Sequence, residues 1–181
     1  MLKIEKLAIE GPLLFLPDRH GDARGWFSEV WRKDLWAEAG VDVEFVQDNE
    51  SFSREKGTVR GLHFQVEPAA QAKLVRVLSG RIWDVAVDIR PASATYGRHV
   101  AVELTSADRN QLFIPAGFAH GFCTLEADTQ VSYKVSAYYS PAQDRGLRWN
   151  DPDLAIDWPV SEAAVILSDK DARLPFLSSL I

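Results

Sequence analysis

The sequence predicts an all-β fold, a jelly-roll sandwich or barrel with a few short helices. Many short runs that alternate apolar with polar residues follow one another at regular spacing, which is typical of sandwiches and barrels. Helical periodicity is confined to RKDLWAEAG, where Leu35, Trp36 and Ala39 share one face before a glycine, and to SEAAVILSDKDARLPFL near the C-terminus. The open end of a jelly roll offers a pocket where several strands converge.

The clearest strand signals are KLVRVL and RIWDVAVDIR, which flank Ser79 and Gly80. Glycine tolerates a positive φ, so we expect a tight turn here with one strand on either side of it. Side chains alternate along a strand, so Asp84 should point away from Trp83 and Val85 and is a candidate to face any cavity that the sheet encloses. Further strands are predicted over residues 26–31, 43–52, 58–64, 99–104, 111–114, 121–125 and 130–138.

Length and composition exclude several classes of protein. The chain has 181 residues with no linker, repeat or low-complexity tract, so we expect one domain over residues 1–181. Twenty Lys and Arg against 26 Asp and Glu give a net charge of −6, and the scattered basic residues argue against a nucleic-acid partner. No apolar run approaches the roughly 20 residues of a membrane helix, and no secretory pattern opens the chain, so we expect a cytoplasmic protein with no membrane partner. The lone Cys123 excludes a disulfide scaffold.

Two histidines lie in unusual segments: His63 in RGLHFQ and His120 in IPAGFAHGF. A single histidine is more often a structural residue than a functional one, but both segments resemble motif positions of the cupin superfamily. Metal-binding cupins use a His-x-His pair and a later Pro-x-Gly-x-x-His, usually with a Glu, as ligands. Here Gln65 replaces the second imidazole and no Glu follows at a fitting distance. We therefore expect no metal, which leaves His63 free to act as a base.

Polar residues are dense around His63, on strands that should be buried. Such a cluster suggests a ligand if the protein cannot satisfy it, whereas a solvated sheet face is the alternative. Arg24, Arg60 and Lys73 are candidates to bind a diphosphate. On an unbroken strand Tyr133 and Tyr139 would share one face and Tyr138 would point away, although such an aromatic set is more often core. The polar residues of the cluster are Gln47, Asp48, Asn49, Arg60, Gln71 and Lys73.

Ten motifs between about residue 10 and about residue 175 resemble, in the same order, those of the dTDP-4-dehydrorhamnose 3,5-epimerases. They are DARGWFSE, FVQDNESFS, VRGLHFQ, QAKLVRVLSG, WDVAVDIR, YGRHVAVEL, LFIPAGFAHGF, YKVSAYYSP, LRWNDPDLAIDWP and LSDKDARLP. Their combination is far more specific than any one of them. The resemblance implies a cupin-type jelly roll, dTDP-4-dehydro-6-deoxy-D-glucose as substrate, and a homodimer in which the N-terminal part of one subunit contributes to the other's site.

The resemblance also implies a role for individual residues. His63 would be the base, oriented by Asp171 of LSDKD, with Tyr133 as the proton donor and Lys73 as the ammonium that stabilises an enolate oxygen. The C4 ketone of the substrate already acidifies the protons at C3 and C5, so no cofactor is expected. Asp84 and Tyr138 are candidate supporting residues. The implied substrate contacts are Arg24, Phe27, Glu29, Gln47, Asn49, Arg60, His120, Tyr139, Asp144 and Lys170, and family members often carry Glu where this chain has Asp144.

Three alternatives stay open at this point. An epimerase that acts only at C3 or only at C5 would use the same base and acid, so the motifs do not separate it from a double epimerase. A non-catalytic cupin that binds a nucleotide sugar would not need His63, Tyr133 and Asp171 together. A metal-dependent cupin oxygenase is disfavoured by Gln65.

Overall fold

Nearly all regular structure in the computed structural model, which describes residues 3–180, is β-strand. The strands are β1 (Lys3–Lys6), β2 (Leu13–Leu16), β3 (His20–Asp22), β4 (Gly25–Phe27), β5 (Gln47–Ser53), β6 (Val59–Gln65), β7 (Lys73–Ser79), β8 (Arg81–Asp88), β9 (His99–Thr105), β10 (Gln111–Ile114), β11 (Phe118–Thr124), β12 (Thr129–Val135) and β13 (Asp144–Gly146). The helical elements are α1 (Lys33–Glu38) and two 3₁₀ turns, Asp171–Arg173 and Leu177–Ser179. No helix of this described part is long and apolar enough to cross a membrane.

Two antiparallel sheets face each other as a sandwich. The larger has the strand order β1-β2-β10-β7-β12-β5 and the smaller the order β13-β6-β11-β8-β9, while β3 and β4 pair only with each other. The predicted all-β jelly-roll class is confirmed, and so are the minor helices, two of which lie near the C-terminus.

Three apolar clusters hold the layers together. Between the sheets, Val75 of β7 packs with Ile82 and Ala86 of β8. The outer face of the smaller sheet is covered by the segment that follows β13, whose apolar residues Leu147, Trp149, Leu154 and Trp158 are buried. On the larger sheet, α1 lays Trp36 over Phe15 with ring centroids 3.6 Å apart. The helix α1 therefore covers the outer face of the larger sheet, and the segment after β13 covers the outer face of the smaller sheet. Each sheet has an apolar patch on its outer face that must be buried.

The predicted turn at Gly80 is present, but the strands beside it do not pair. Gly80 has a φ of +83°, and a Cβ at this position would collide with Thr129, so the position suits glycine. β7 pairs with β10 and β12, whereas β8 pairs with β9 and β11. The chain thus crosses from one sheet to the other here. Alternating apolar residues look the same in a hairpin and in two strands that face each other across a core, which is why the pattern did not distinguish them.

Several predicted strands are shorter in the structure. The run over residues 26–31 is regular only in β4, and the run over 43–52 begins at Gln47. Trp31 and Phe45 instead pack edge to face, with ring centroids 4.8 Å apart, beside α1. Their apolar character therefore reflects packing between loops and the helix. β12 ends at Val135, so the alternation argument for Tyr138 and Tyr139 does not apply.

Candidate active site

A cavity of about 620 Å³ opens in the sandwich and is lined by strands of both sheets and by the segment over residues 166–171. This volume lies within the usual range for small-molecule sites, about 300–1,000 Å³. The cavity brings together most of the site residues that the sequence suggested. These are Gln47, Asn49, Arg60, His63, Lys73, His120, Tyr133, Tyr139, Asp144, Lys170 and Asp171.

His63 on β6 forms a close pair with Asp171, the first residue of a 3₁₀ turn. The distance between His63 Nε2 and Asp171 Oδ1 is 2.6 Å, and the Asp171 side chain is only 5% exposed. Burial alone would raise the pKa of Asp171, but hydrogen bonds from His63, from Ser168 and from the Gly61 backbone together hold that pKa below its ordinary value. The ionised carboxylate only accepts hydrogen bonds, so Nε2 of His63 is the donor, and in a neutral ring the lone pair is then on Nδ1. A neutral imidazole in this tautomer is equipped to act as a base.

Tyr133 lies on β12, in the sheet opposite to the one that carries His63. Its neighbours across the ladder are Asn49 on β5 and Val75 on β7. Burial raises the pKa of Tyr133, against the opposing effect of the Arg60 charge. The phenol therefore stays protonated at neutral pH and can donate.

Lys73 is the first residue of β7 and is 7% exposed. Its Nζ donates a hydrogen bond to the carbonyl oxygen of His63 at 3.1 Å. Burial lowers the pKa of Lys73 to about 8, while the charges of Asp84 and Asp144 pull it upward. An ammonium group held in a buried site stabilises a nearby negative charge far better than one in water.

A second histidine–aspartate pair lies beside the first. His120 on β11 is the cross-strand neighbour of His63, and its Nε2 lies 2.6 Å from Asp84 Oδ1. Asp84 is fully buried on β8 and faces inward, as the alternation predicted. Burial lowers the pKa of His120, although the charge of Asp84 opposes this, so the ring is neutral at neutral pH. The sequence indicated both residues singly but not their pairing, because it does not show that β8 and β11 are neighbours.

Charged and polar side chains line the outer part of the cavity. The Lys170 ammonium donates to the Asp144 carboxylate, and this hydrogen bond raises the pKa of Lys170. Tyr139 donates its hydroxyl to the same carboxylate at 3.3 Å. Arg60 donates from Nε to Ser53 Oγ at 3.1 Å, which leaves further guanidinium N–H groups for a ligand.

Gln47 and Asn49 complete this polar lining. Gln47 Nε2 donates to Asn49 Oδ1 at 2.7 Å, and both side chains line the cavity. They lie two residues apart on β5, so they share the face of the strand that is turned to the cavity.

Tyr138 and Gln65 have structural contacts. The Tyr138 side chain is exposed and does not line the cavity, and its support of the site stays a prediction. Its carbonyl oxygen accepts a hydrogen bond from Gln65 Nε2 at 3.2 Å, and the same amide nitrogen donates to Ala69 O at 2.7 Å. Gln65 Oε1 accepts from Ser140 N at 2.7 Å. The amide that replaces a cupin imidazole is thus engaged in anchoring two loops.

Three predicted contact residues lie outside the cavity of this chain. Arg24, Phe27 and Glu29 belong to the β3–β4 hairpin and the loop after it, and the Arg24 side chain is 90% exposed and pairs with Asp22 at 2.6 Å. Phe27 is exposed, and Glu29 contacts Arg32 at 3.5 Å. That they reach the site of a second subunit, as the family resemblance implies, stays a prediction. The hairpin pairs with neither main sheet, so nothing in the described ladders draws it toward the cavity.

Comparison with known proteins agrees with this geometry. The family model of dTDP-4-dehydrorhamnose 3,5-epimerase matches residues 6–179. The chain belongs to this family. The family is one of isomerases, and its solved members share the cupin-type β-sandwich described above.

Individual relatives are similar over nearly their whole length. The dTDP-4-dehydrorhamnose 3,5-epimerase of Sinorhizobium fredii is 52% identical over 176 residues, 97% of this chain and 90% of that protein. The crystal structure of the Bacillus anthracis enzyme with TDP and PPi bound has a TM-score of 0.94 and 47% identity, covering 97% of this chain and 99% of that one. The Legionella pneumophila enzyme in complex with dTDP-4-keto-L-rhamnose has a TM-score of 0.95 and 42% identity, covering 100% and 95%.

Proposed function

We propose that this protein epimerises dTDP-4-dehydro-6-deoxy-D-glucose at C3 and C5 to give dTDP-4-dehydro-L-rhamnose. The observation that carries the proposal is the His63–Asp171 pair, joined at 2.6 Å, in a cavity whose opposite sheet carries the protonated phenol of Tyr133. Inversion at a carbon next to a ketone requires a base on one face of the ring and an acid on the other. The family membership and the dTDP-linked sugar bound by the Legionella relative point to the same substrate class.

Each inversion follows from the roles of three side chains. His63 Nδ1 takes the proton from C3 or C5, and the electron pair of the broken C–H bond moves into an enolate whose negative charge lies on the C4 oxygen. The Lys73 ammonium stabilises that oxygen. Tyr133 then delivers its proton to the opposite face of the carbon. The imidazolium of His63 afterwards loses its extra proton to solvent, and the phenolate of Tyr133 takes one up, so both groups return to their starting states. Asp171 orients the imidazole and stabilises its protonated form.

The remaining residues bind the substrate. Arg60 and Lys170 supply positive charge for the diphosphate, and Tyr139, which is exposed and lines the cavity, offers a stacking surface for thymine. Polar contacts to the nucleotide and the sugar come from Gln47, Asn49, His120 and Asp144. The ketone of the substrate supplies the acidity of the C–H bonds, so the proposed chemistry needs no redox cofactor and no metal.

We also propose a homodimer in which each β3–β4 hairpin completes the partner's site. This proposal is supported by the exposure of Arg24 and Phe27, which lie outside the cavity of their own chain although the family resemblance makes them substrate contacts. On this view the whole chain, residues 1–181, acts as one epimerase domain in the cytoplasm.

Complementation tests the shared site. The Arg24→Ala/Phe27→Ala variant and the His63→Asn variant should each be nearly inactive. After unfolding and refolding together, they should regain about a quarter of the wild-type activity, because half the dimers are mixed and each holds one intact site. No gain in activity on mixing, with mixed dimers demonstrated by mass spectrometry, would overturn the shared site.

Product trapping tests the proposed reaction. Chelator-treated protein is incubated with dTDP-4-dehydro-6-deoxy-D-glucose in the presence of a reductase specific for the L-rhamno ketosugar, and NADPH consumption is followed. Sustained consumption supports the double epimerase. No consumption with epimerisation at one carbon alone would replace it by a single-site epimerase, and recovery only on adding a divalent metal would contradict the metal-free mechanism.

A further inference from the structure

Asp84 has one carboxylate oxygen without a hydrogen-bond partner, although the residue is completely buried. Its Oδ1 pairs with His120 Nε2 at 2.6 Å, whereas Oδ2 has no partner among residues 3–180. An unpaired oxygen in a buried carboxylate lowers the free energy of unfolding, because the oxygen loses its hydrogen bonds to water and forms none within the protein. Such an oxygen therefore calls for an explanation beyond stability.

Asp88 lies on the same face of β8 as Asp84, and both of its carboxylate oxygens are hydrogen-bonded within the protein. Its Oδ1 accepts from Arg90 at 2.9 Å, and its Oδ2 accepts from Arg90, Ser93 and Thr95 at 2.6–2.7 Å. Every acceptor site of Asp88 is used to hold one loop. Asp84 differs because its Oδ2 has no such partner, while its Oδ1 holds His120, a residue that lines the cavity.

The Asp84 contact decides how His120 is presented. A carboxylate only accepts hydrogen bonds, so the proton of the neutral ring is on Nε2. This leaves Nδ1, with its lone pair, as the nitrogen available in the cavity that His120 lines. His120 can then accept a hydrogen bond from a sugar hydroxyl but cannot donate one to the C4 oxygen, which leaves that role to Lys73.

The charge of Asp84 also acts on Lys73. The ammonium makes one hydrogen bond within the described chain, to the carbonyl oxygen of His63. Asp84 is the first of the two carboxylates whose charge favours its protonated form. The titratable groups that face Lys73 are Asp84 on β8, Asp144 on β13, His63 on β6, His120 on β11 and Tyr133 on β12. Among these groups, the charges that favour the protonated form of Lys73 are those of the two aspartates.

We infer that Asp84 is a positioning residue of the reaction, which turns the acceptor nitrogen of His120 toward a sugar hydroxyl and keeps Lys73 cationic beside the enolate oxygen. The inference rests on the proposed epimerase function. Asp84 touches neither the substrate nor the reacting atoms in this account. It acts through two neighbours that do.

The Asp84→Asn variant tests both effects, with Glu103→Gln as a matched control. Both substitutions remove one negative charge, but Glu103 lies on the exposed face of β9 and pairs with Arg81 at 3.2 Å. Loss of the Asp84 charge lowers the pKa of Lys73 further. In a plot of kcat/KM against pH, the fall on the alkaline side should therefore begin about one pH unit lower. Glu103→Gln should leave this fall in place. An unchanged fall in Asp84→Asn would overturn the inference.

Nitrogen-15 NMR of the histidine rings provides a readout that needs no activity. In the wild-type protein, His120 should be in the Nε2–H form, and a ring protonated on Nδ1 would overturn the inference even if Asp84→Asn did not fold. In Asp84→Asn the amide offers both a donor and an acceptor, so the Nδ1–H form should become populated. Absence of epimerisation by the wild-type enzyme would instead count against the proposed function, while the tautomer of His120 would still decide the positioning role.

Discussion

His63 and Asp171 are joined by a hydrogen bond of 2.6 Å although they lie 108 residues apart in the chain. The segment that carries Asp171 is held by its own contacts: Ile166 bridges Thr58, and Leu177 N donates to Asp151 Oδ2 at 2.6 Å. The orientation of the proposed base therefore depends on the docking of the C-terminal segment onto the smaller sheet.

His63→Asn should abolish epimerisation while leaving the fold unchanged. The substitution removes the proposed base, which contributes about 100- to 10,000-fold to rate, but keeps a polar side chain beside Asp171. His99→Asn is the control, because His99 lies on β9 outside the cavity. Turnover and thermal unfolding are measured for both. Near-wild-type turnover in His63→Asn would contradict the assignment of His63 as the base.

Asp171→Asn should lower kcat about 100-fold or more, because an amide no longer imposes the tautomer of His63. It should also change acid stability. The pKa of Asp171 is lowered in the folded state, so the ionised group stabilises the fold above its unfolded pKa of about 4, and this stabilisation is lost as the pH falls through the folded pKa. The difference in unfolding free energy between wild type and Asp171→Asn should narrow below about pH 4. Urea titrations at pH 3 and pH 7 measure it, and a constant difference would contradict the linkage.

Tyr133→Phe should impair reprotonation more than binding. Proton abstraction by His63 does not need the phenol, so exchange of the C3 or C5 hydrogen with solvent should continue while formation of the inverted product falls about 100-fold. The dissociation constant for dTDP should stay within a factor of about two. A large loss of nucleotide affinity with unchanged kcat would contradict the acid role.

Lys73→Met should give a more stable but inactive protein. The pKa of Lys73 is lowered to about 8 by burial, which means that the folded state disfavours the charge. Below that pKa, burial of the ammonium destabilises the folded protein to the full extent. The destabilisation declines as the pH rises from the folded pKa toward the unfolded pKa near 10.4. Replacing the ammonium by a thioether should raise the unfolding free energy at pH 7 by about 2 kcal/mol after the lost hydrogen bond is counted.

The rate of the wild-type enzyme should depend on the same group. As the pH rises through about 8, Lys73 loses its proton and kcat/KM should fall. Lys134→Met is the control, since Lys134 pairs with Asp48 at the surface and does not line the cavity. A Lys73→Met variant that kept its activity, or that was destabilised to the same extent as Lys134→Met, would argue against a charge held for catalysis.

Arg60→Ala should mainly weaken substrate binding. The guanidinium lines the cavity and donates to Ser53 and to the Phe52 carbonyl oxygen, which holds it in place on β6. Losing a charge-assisted contact to a diphosphate should raise KM about tenfold with a smaller change in kcat. An unaltered KM would contradict the phosphate contact.

The inward direction of Asp84 and the strands around His63 could be predicted from the sequence, because side-chain alternation is a local property of a strand. The pairing of Asp84 with His120 could not, because it depends on which strands are neighbours. The same limit applies at Gly80, where the turn and its two strands were predicted but not that the strands enter different sheets.

The residues of the proposed site were predicted through the family resemblance rather than through periodicity. Asp171 illustrates this, since only a motif match connects it with a histidine on a distant strand. Arg24, Phe27 and Glu29 were also predicted through the resemblance, and their role as substrate contacts stays a prediction. Their place outside the cavity of their own chain could not be predicted from periodicity and is visible only in the structure.

Hydrogen exchange at the sugar carbons is the first measurement to make on the proposed reaction. Chelator-treated protein is mixed with dTDP-4-dehydro-6-deoxy-D-glucose in D₂O, and the C3 and C5 protons are followed by NMR, with His63→Asn as the control. If His63 abstracts the protons at C3 and C5, both proton signals should disappear in the wild-type sample and neither in the variant. Retention of both signals in the wild-type sample would contradict this role of His63.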